Sequence, residues 1–307
     1  MENFPAAERF SYLKVKLEVH MKKRYHDYQT RQQMHAKDYE IFYYSDSTLE
    51  KVSLHHHDFY ECFYFISGNV SYYIEGKTYA LKPGDIVPVN TTELHQLIVK
   101  DHTVPYERIV LWIDKNFLSS LSTDKTDLAE CFYNKKDYVL RLSLDLQQNI
   151  RSIFHKIISI ENYEGIGSDI LYKAYFVELF VQISMALQHN SIRPDADVKK
   201  SNMITDIIEY INNHIEEELT IDTLSEHVFL SKYHLLREFK KHSGTTIHKY
   251  IIQKKLILAK ELILTGMPIT EVFKQCGFGD YSNFFRAFKK EYGVTPKYFY
   301  SNFKQDS

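Results

Sequence analysis

Three histidines and a glutamate stand at spacings that suit a binding site: His55 and His57 two residues apart, Glu61 four further on, and His95 beyond a run of turns. Residues at i and i+2 on a strand project to one side, Glu61 keeps that parity, and His95 is placed to arrive from a neighbouring strand. Three imidazoles and a carboxylate are a set that binds Zn, Fe, Mn or Ni. The same groups also offer hydrogen bonds to an organic molecule, and aromatic residues crowd around them: Phe42, Tyr43, Tyr44, Tyr60, Phe63, Tyr64, Phe65, Tyr72, Tyr73 and Tyr79. Pockets for small molecules combine such apolar walls with a few polar groups. The sequence favours the organic reading: His55, His57, Glu61 and His95 line the pocket of a small-molecule effector, and neither a metal nor a cofactor is expected. A structural role, in which the groups hydrogen-bond one another, and a metal ion on the same four side chains are the alternatives. His56, of opposite parity, is expected on the surface.

A second candidate site lies in the last third of the chain, where one segment occurs twice, 49 residues apart. SKYHLLREFKKHSGTTIHKY (231–250) falls on DYSNFFRAFKKEYGVTPKYF (280–299), matching Arg237 with Arg286, Phe239 with Phe288, Lys240 and Lys241 with Lys289 and Lys290, and Gly244 with Gly293. In each copy an apolar pair at helical spacing, Leu235 and Phe239 or Phe284 and Phe288, marks a buried face. The opposite face carries Tyr233, Leu236, Arg237 and Lys240 in the first copy and Tyr281, Ser282, Asn283, Arg286 and Lys289 in the second. Arginine pairs with guanine, and asparagine with adenine, through two hydrogen bonds each. Lysines toward the helix ends suit phosphate.

These residues need elements to position them. Ahead of each basic helix runs a shorter amphipathic segment and a break, and Ser231 and Asp280 are good N-caps for the two basic helices. Helix, tight turn, helix is the layout whose second helix enters the DNA major groove. From Thr246 to Leu264 an apolar stripe of Ile247, Tyr250, Ile251, Leu258, Leu262 and Ile263 predicts a joining helix about 28 Å long, close to the roughly 34 Å between successive major-groove faces. Upstream, residues 38–113 read as short β-rich runs (YEIFYYS, YECFYFISG, VSYYIEG, KTYAL, DIVPV, HQLIV, RIVLWI) with turn residues between, the pattern of an all-β barrel or sandwich. Two helical patterns at 143–189 flank ENYEGIGSD, the turn of an antiparallel pair.

On these residues the chain resembles a known family. The stretch 203–303 is similar to the DNA-binding domain of AraC/XylS-type transcription regulators, with F-K-K-x-x-G in both halves, G-F-x-D-x-S-x-F-x-R-x-F-K-K across 277–290, and G-V-T-P-K-Y at 293–298. Phe273 stands where that family usually has alanine, and Phe229 where its first unit often has glycine. H-x-H-x3-E-x6-G (His55, His57, Glu61, Gly68), L-K-P-G-D at 81–85 and His95 resemble the cupin barrel that serves many such regulators as a sensor. The resemblance implies dimerisation through the helices at 143–189, where Leu179 and Ile183 are expected at the contact. It also implies activation of metabolic genes, carbohydrate use among them.

The fold class expected is α+β: a cupin-like β-barrel at 1–142, a helical dimerisation pair at 143–189, a linker at 190–201, and an all-α domain of two helix-turn-helix units at 202–307. The charge is divided accordingly, with 16 Lys and Arg against 13 Asp and Glu in residues 199–307, while the whole chain carries a net −2. A basic end on an acidic body suits a nucleic-acid partner. The chain is 44% hydrophobic and 25% charged, and no window offers 18 uncharged apolar residues. With no basic start and apolar run at its N-terminus, it is expected in the cytoplasm and away from membranes. Cys62, Cys131 and Cys276 lack metal-ligand spacing and are expected reduced and packed. No nucleophile–base pair, phosphate-cradling loop or pair of catalytic acids stands out, so no enzyme is expected. The alternatives are a cupin metalloenzyme with an appended DNA-binding module, or a regulator without an effector. The expected partners are double-stranded DNA, a small molecule of which a sugar is one candidate, a second copy of the chain, and RNA polymerase.

Overall fold

The computed structural model describes residues 32–161, 163–188, 198–200 and 202–306. The expected N-terminal segment and most of the expected linker lie outside the described residues. Eight strands come first: β1 Tyr39–Asp46, β2 Lys51–His55, β3 Tyr60–Ser67, β4 Asn69–Ile74, β5 Lys77–Ala80, β6 Ile86–Val89, β7 His95–Asp101 and β8 Tyr106–Ile113. A short strand, β9 Val198–Lys200, pairs with β5 at the edge, inside the segment expected to be linker. They form two antiparallel sheets, β1-β8-β3-β6 and β2-β7-β4-β5-β9, facing each other as a cupin-like sandwich.

The first sheet is buried on both faces, which is why its strands read as unbroken apolar runs instead of alternating ones. Phe63 and Phe65 of β3 and Val110 and Trp112 of β8 point between the sheets. Cys62, Tyr64, Ile109 and Leu111, one residue out of phase, lie in a second core with the helices that come after. Those helices are α1 Lys115–Leu121, α2 Glu130–Tyr133, α3 Leu144–Glu161 and α4 Ser168–Gln188. By length and composition α4 is apolar enough to cross a membrane. Its Phe176, Leu179, Phe180 and Ile183 are instead packed in that core with residues of the first sheet. Leu179 and Ile183 are therefore not interface residues. Burying them removes one face of α4 from water without any second chain.

The helical end comprises α5 Asn202–Asn213, α6 Ile221–His227, α7 Lys232–Ser243, α8 Ile247–Leu264, α9 Ile269–Gln275, α10 Tyr281–Tyr292 and α11 Pro296–Asp306. Helices α6–α7 and α9–α10 are the two helix-turn-helix units. As expected, α7 and α10 start on the side chains of Ser231 and Asp280, which accept from His234 N and Asn283 N, and both stop at glycines in the left-handed region, Gly244 and Gly293. Between the units, α8 buries more than the one expected stripe: Gln253, Lys255, Leu256 and Ala259 are covered as well. A helix wrapped on most sides behaves so. Phe273 fits its position by turning its ring edge-on to Tyr281, at 5.6 Å and 78°.

Candidate functional site

The four chemistry-bearing residues converge where the two sheets meet at one end of the sandwich. His55 closes β2 directly opposite His95, the first residue of β7, and Glu61 lies on β3 opposite Trp112 of β8. His57 stands just past the end of β2, in the connection to β3, so the expected His-x-His strand is only partly a strand. Its bounds were not legible among the apolar runs because KVSLH is short and half polar. The rings of His55 and His95 are 4.2 Å apart, and those of His57 and His95 5.0 Å.

The histidines are held at the nitrogen that faces away from the cluster. Nδ1 of His55 contacts Ser53 O at 2.8 Å, Nδ1 of His57 contacts Phe59 O at 2.7 Å, and Nδ1 of His95 contacts Glu93 O at 3.1 Å. A carbonyl only accepts, so each Nδ1 carries the proton and donates it, which leaves Nε2 with a free lone pair in the neutral ring. Burial, together with the neighbouring His57, pulls His55 down to about 4, and burial with His55 and His57 holds His95 well below the ordinary range. Burial pushes the Glu61 carboxyl up, but the nearby imidazoles of His57 and His55 and the N–H of Trp112 outweigh it and leave it below the usual carboxylate value. Trp112 Nε1 donates to Glu61 at 3.0 Å, and Tyr72 OH approaches it at 3.5 Å. Tyr72, one of the aromatic residues expected around the site, borders this space, and Trp112 and the buried Arg108, which border it as well, are site residues missed in the sequence. Trp112 was legible as the chain's single tryptophan; Arg108 was not, since its partners Asp46 and Tyr44 come from β1, more than 60 residues away in the chain.

The cavity beside the cluster measures about 50 Å³. Pockets for drug-sized molecules run to roughly 300 Å³ or more. The space seen here suits an ion or a few water-sized groups, and a sugar ring requires it to open.

At the other site, every residue expected to read DNA is exposed: Tyr233, Leu236, Arg237 and Lys240 on α7, and Tyr281, Ser282, Asn283, Arg286 and Lys289 on α10. Arg286 donates to Asn283 Oδ1 at 2.7 Å, so the two base-reading candidates of α10 are held side by side. Arg237 leans on Glu238 at 3.2 Å. A groove of about 630 Å³ runs between the start of α8 and α10, with Lys249, Asn283, Arg286 and Lys290 along it.

The two sites touch through a shared junction, which no spacing in the sequence announced. Leu54, Tyr73 and Leu94 of the sandwich belong to one apolar core with α5, α7 and α8. Glu75, at the β4–β5 turn with φ 42°, accepts from Tyr250 OH at 3.0 Å, Lys254 Nζ at 3.2 Å and Leu94 N at 2.7 Å. Gln96, next to His95, donates to Ser243 O at 2.9 Å, at the end of α7. His56 is buried, not exposed as its parity suggested, and its Nε2 lies 3.5 Å from Glu291 on α10. Asp58 pairs with Lys260 of α8. The surface that β2 lacks in isolation is covered by the helical end.

Comparison with known proteins agrees with this architecture. A model of the AraC-like ligand binding domain matches residues 23–180, just over half of the chain, and a helix-turn-helix domain model matches residues 224–301. The HTH-type transcriptional activator RhaS of Salmonella paratyphi A is 24% identical over 244 residues, 79% of this chain and 85% of that protein. Among solved structures, ToxT from Vibrio cholerae O395 bound to (E)-4-(8-methylnaphthalen-1-yl)but-3-enoic acid is 17% identical over 87% of this chain and 100% of its own, with a TM-score of 0.39. The C-terminal domain of the two-component response regulator yesN from Fusobacterium nucleatum is 35% identical over 33% of this chain and 99% of its own, with a TM-score of 0.32. With a sensor sandwich ahead of two helix-turn-helix units, and both halves matched by family models in that order, the chain belongs to the AraC family of ligand-responsive DNA-binding regulators.

Proposed function

We propose that this chain activates transcription from inside the cell by binding DNA through α7 and α10 under control of the sensor. The observation that carries this reading is the pair of exposed, arginine-bearing recognition helices whose C-terminal ends rest on the sandwich beside the His55–His57–Glu61–His95 cluster. RhaS carries the name of an activator, and activation brings RNA polymerase in as a partner. A homodimer presents four recognition helices to a repeated site. Since Leu179 and Ile183 are buried, the dimer contact falls on the outer side of the α3–α4 pair, where Ile170, Leu171 and Met185 are exposed. The domain division is that of sensor, helical pair and double helix-turn-helix, with 198–200 drawn into the sensor sheet.

The test is selection of sequences from random DNA by the full chain. A selected site should contain two unlike segments about one helical turn apart per protomer, and affinity should fall steeply with salt as phosphate contacts are lost. No selected sequence, or binding indifferent to salt, overturns the reading. Sedimentation of Ile170→Asp/Met185→Glu tests the dimer: a folded variant still dimeric places the contact elsewhere.

A further inference from the structure

We infer that His57, Glu61 and His95, with His55 beside them, bind a divalent first-row transition metal ion, and that this ion is the effector; the inference rests on the regulator reading above. The donor atoms of His57, Glu61 and His95 all lie within 4.8 Å of one another. Nε2 of His57 and of His95 is buried and has no hydrogen-bond partner among the described residues. With each Nδ1 committed to a backbone carbonyl, those lone pairs have nothing to accept from, and an orphaned acceptor inside a protein is costly. A carbonyl behind each ligating histidine is also the arrangement that fixes metal-binding imidazoles in the required tautomer.

Charge and distance point the same way. Glu61 is a buried carboxylate whose hydrogen-bonding neighbours, Trp112 and Tyr72, are neutral, so a cation completes the site. Two ligands at about 2.0–2.2 Å from a tetrahedral ion lie roughly 3.3–3.6 Å apart. His57 Nε2 is 3.5 Å from Glu61 Oε2, at the spacing of two ligands on one ion, and His95 Nε2 is 3.9 Å from Glu61 Oε1, within a few tenths of an ångström of it; both are long for hydrogen bonds. Two imidazoles and a carboxylate suit Zn, Fe, Mn, Co or Ni and not Ca or Mg. The cavity of about 50 Å³, lined by His55, Glu61 and His95, has room for an ion, and His57 closes on it from beside that space.

Alternation along the chain connects the ion to DNA. In the segment 55–58 the odd residues, His55 and His57, face the cluster, while the even residues, His56 and Asp58, meet Glu291 of α10 and Lys260 of α8. On β7, His95 faces the cluster and its neighbour Gln96 bonds to the end of α7. An ion that draws His57 and His95 toward Glu61 therefore displaces the residues on which both recognition helices rest.

The full-length protein, stripped with chelator, is titrated separately with Co²⁺, Zn²⁺, Mn²⁺, Fe²⁺ and Ni²⁺, with the visible absorption of Co²⁺ as a direct signal. One ion per chain is expected, bound at least about tenfold more weakly by Glu61→Gln and by His95→Gln, both checked for folding by circular dichroism. On DNA selected by the full chain, the ion should change affinity by about five- to hundredfold, and by less than about twofold in His56→Ala/Asp58→Ala, which retains the ion. If the folded wild type takes up no ion, the metal inference fails and the DNA-binding reading stands. If the ion binds and DNA affinity does not move, the ion is not the effector. If no DNA is selected under any condition, the regulator reading fails while the ion titration still decides the site.

Discussion

In the first helix-turn-helix unit the chain passes between helices through Phe229 at φ 54°, and in the second through Gly277 at φ 64°. The turns close alike. Phe229 N bonds to Glu226 O and Leu230 N to Ser225 O; Gly277 N bonds to Lys274 O and Phe278 N to Phe273 O. Surroundings differ sharply. The Phe229 ring is 94% exposed. A Cβ on Gly277 would stand 2.5 Å from Glu217 O and 2.7 Å from Glu216 O, because the segment after α5 and Lys255 Nζ pack on that turn. Glycine is thus required in the second unit by crowding as well as by dihedral angle, whereas the open surroundings of the first turn let Phe229 take up the same left-handed backbone at a conformational cost alone. The units also rest on different supports. The first shares its core with Leu54, Tyr73 and Leu94 of the sensor, whereas the second packs Phe284, Phe288 and Tyr292 against α8 and Phe299. A strained residue is kept where the surroundings over-determine the backbone. At Phe229 that constraint is the pair of bonds from Phe229 N and Leu230 N to Glu226 O and Ser225 O.

The largest effect is expected where α5 and α8, which share the core of the first unit, meet the sensor. Glu75→Ala removes the acceptor of Tyr250, Lys254, Asn212 and Leu94 N together and leaves the largely buried Lys254 ammonium without its carboxylate, with only Thr92 O to accept from it. The cost should be about 3 kcal/mol in urea unfolding. The exposed Glu271–Lys274 pair of the second unit is the control, and Lys274→Ala should cost less than about 0.5 kcal/mol. Equal small effects would mean that the first unit does not lean on the sensor. Next in size is Gly277→Ala, about 2–3 kcal/mol from the left-handed backbone and the clash with two carbonyls. An unchanged midpoint would show that the segment after α5 gives way.

The difference between the units also marks what sequence carried. The repeat exposed both units because caps and apolar pairs are local: Ser231, Asp280, Gly244 and Gly293 do their work within one turn of chain. The strands β1 and β3–β8 were equally legible from apolar runs between turn residues. The cluster residues are legible as a set, yet parity places His56 in solvent and the family resemblance places Leu179 and Ile183 against a second chain. All three errors have one cause. Periodicity tells which face of an element is apolar or which parity a residue has, and says nothing about what covers it. His56 is covered by α10, and Leu179 and Ile183 lie in a core with the first sheet. The bonds of Glu75 to residues 137 and 179 positions away could not be read from spacing either.

On DNA the two units should separate in sequence preference. Arg237→Ala and Arg286→Ala should each relax discrimination by about 1–3 kcal/mol, in different segments of the selected site. Lys290→Ala, at the end of α10, should weaken all sequences alike. Arg286 is pre-positioned by Asn283, so Asn283→Ala should reproduce part of the Arg286 effect, whereas Arg237 has no such neighbour amide. Loss confined to one segment in both arginine variants would mean that only one unit reads bases.

The smallest effect is the most direct test of the contrast between the two turns. Phe229→Gly places in the first turn the residue that the second already has. A non-glycine residue in the left-handed region costs roughly 1–2 kcal/mol, and a glycine adds back about 0.5–1 kcal/mol of backbone entropy in the unfolded chain. Because the Phe229 ring is almost fully exposed, little apolar burial is lost, and the net should be a gain of about 0.5 kcal/mol in the unfolding of the full chain. Phe229→Ala separates strain from ring: it keeps the left-handed penalty and removes the side chain, so it should leave stability unchanged. If Phe229→Gly instead destabilises, the ring is packed in solution against something the isolated chain does not show. If it stabilises but lowers DNA affinity while Phe229→Ala does so equally, the exposed ring belongs to the DNA-reading face beside Tyr233, and the first unit retains a strained phenylalanine for what it touches outside the protein.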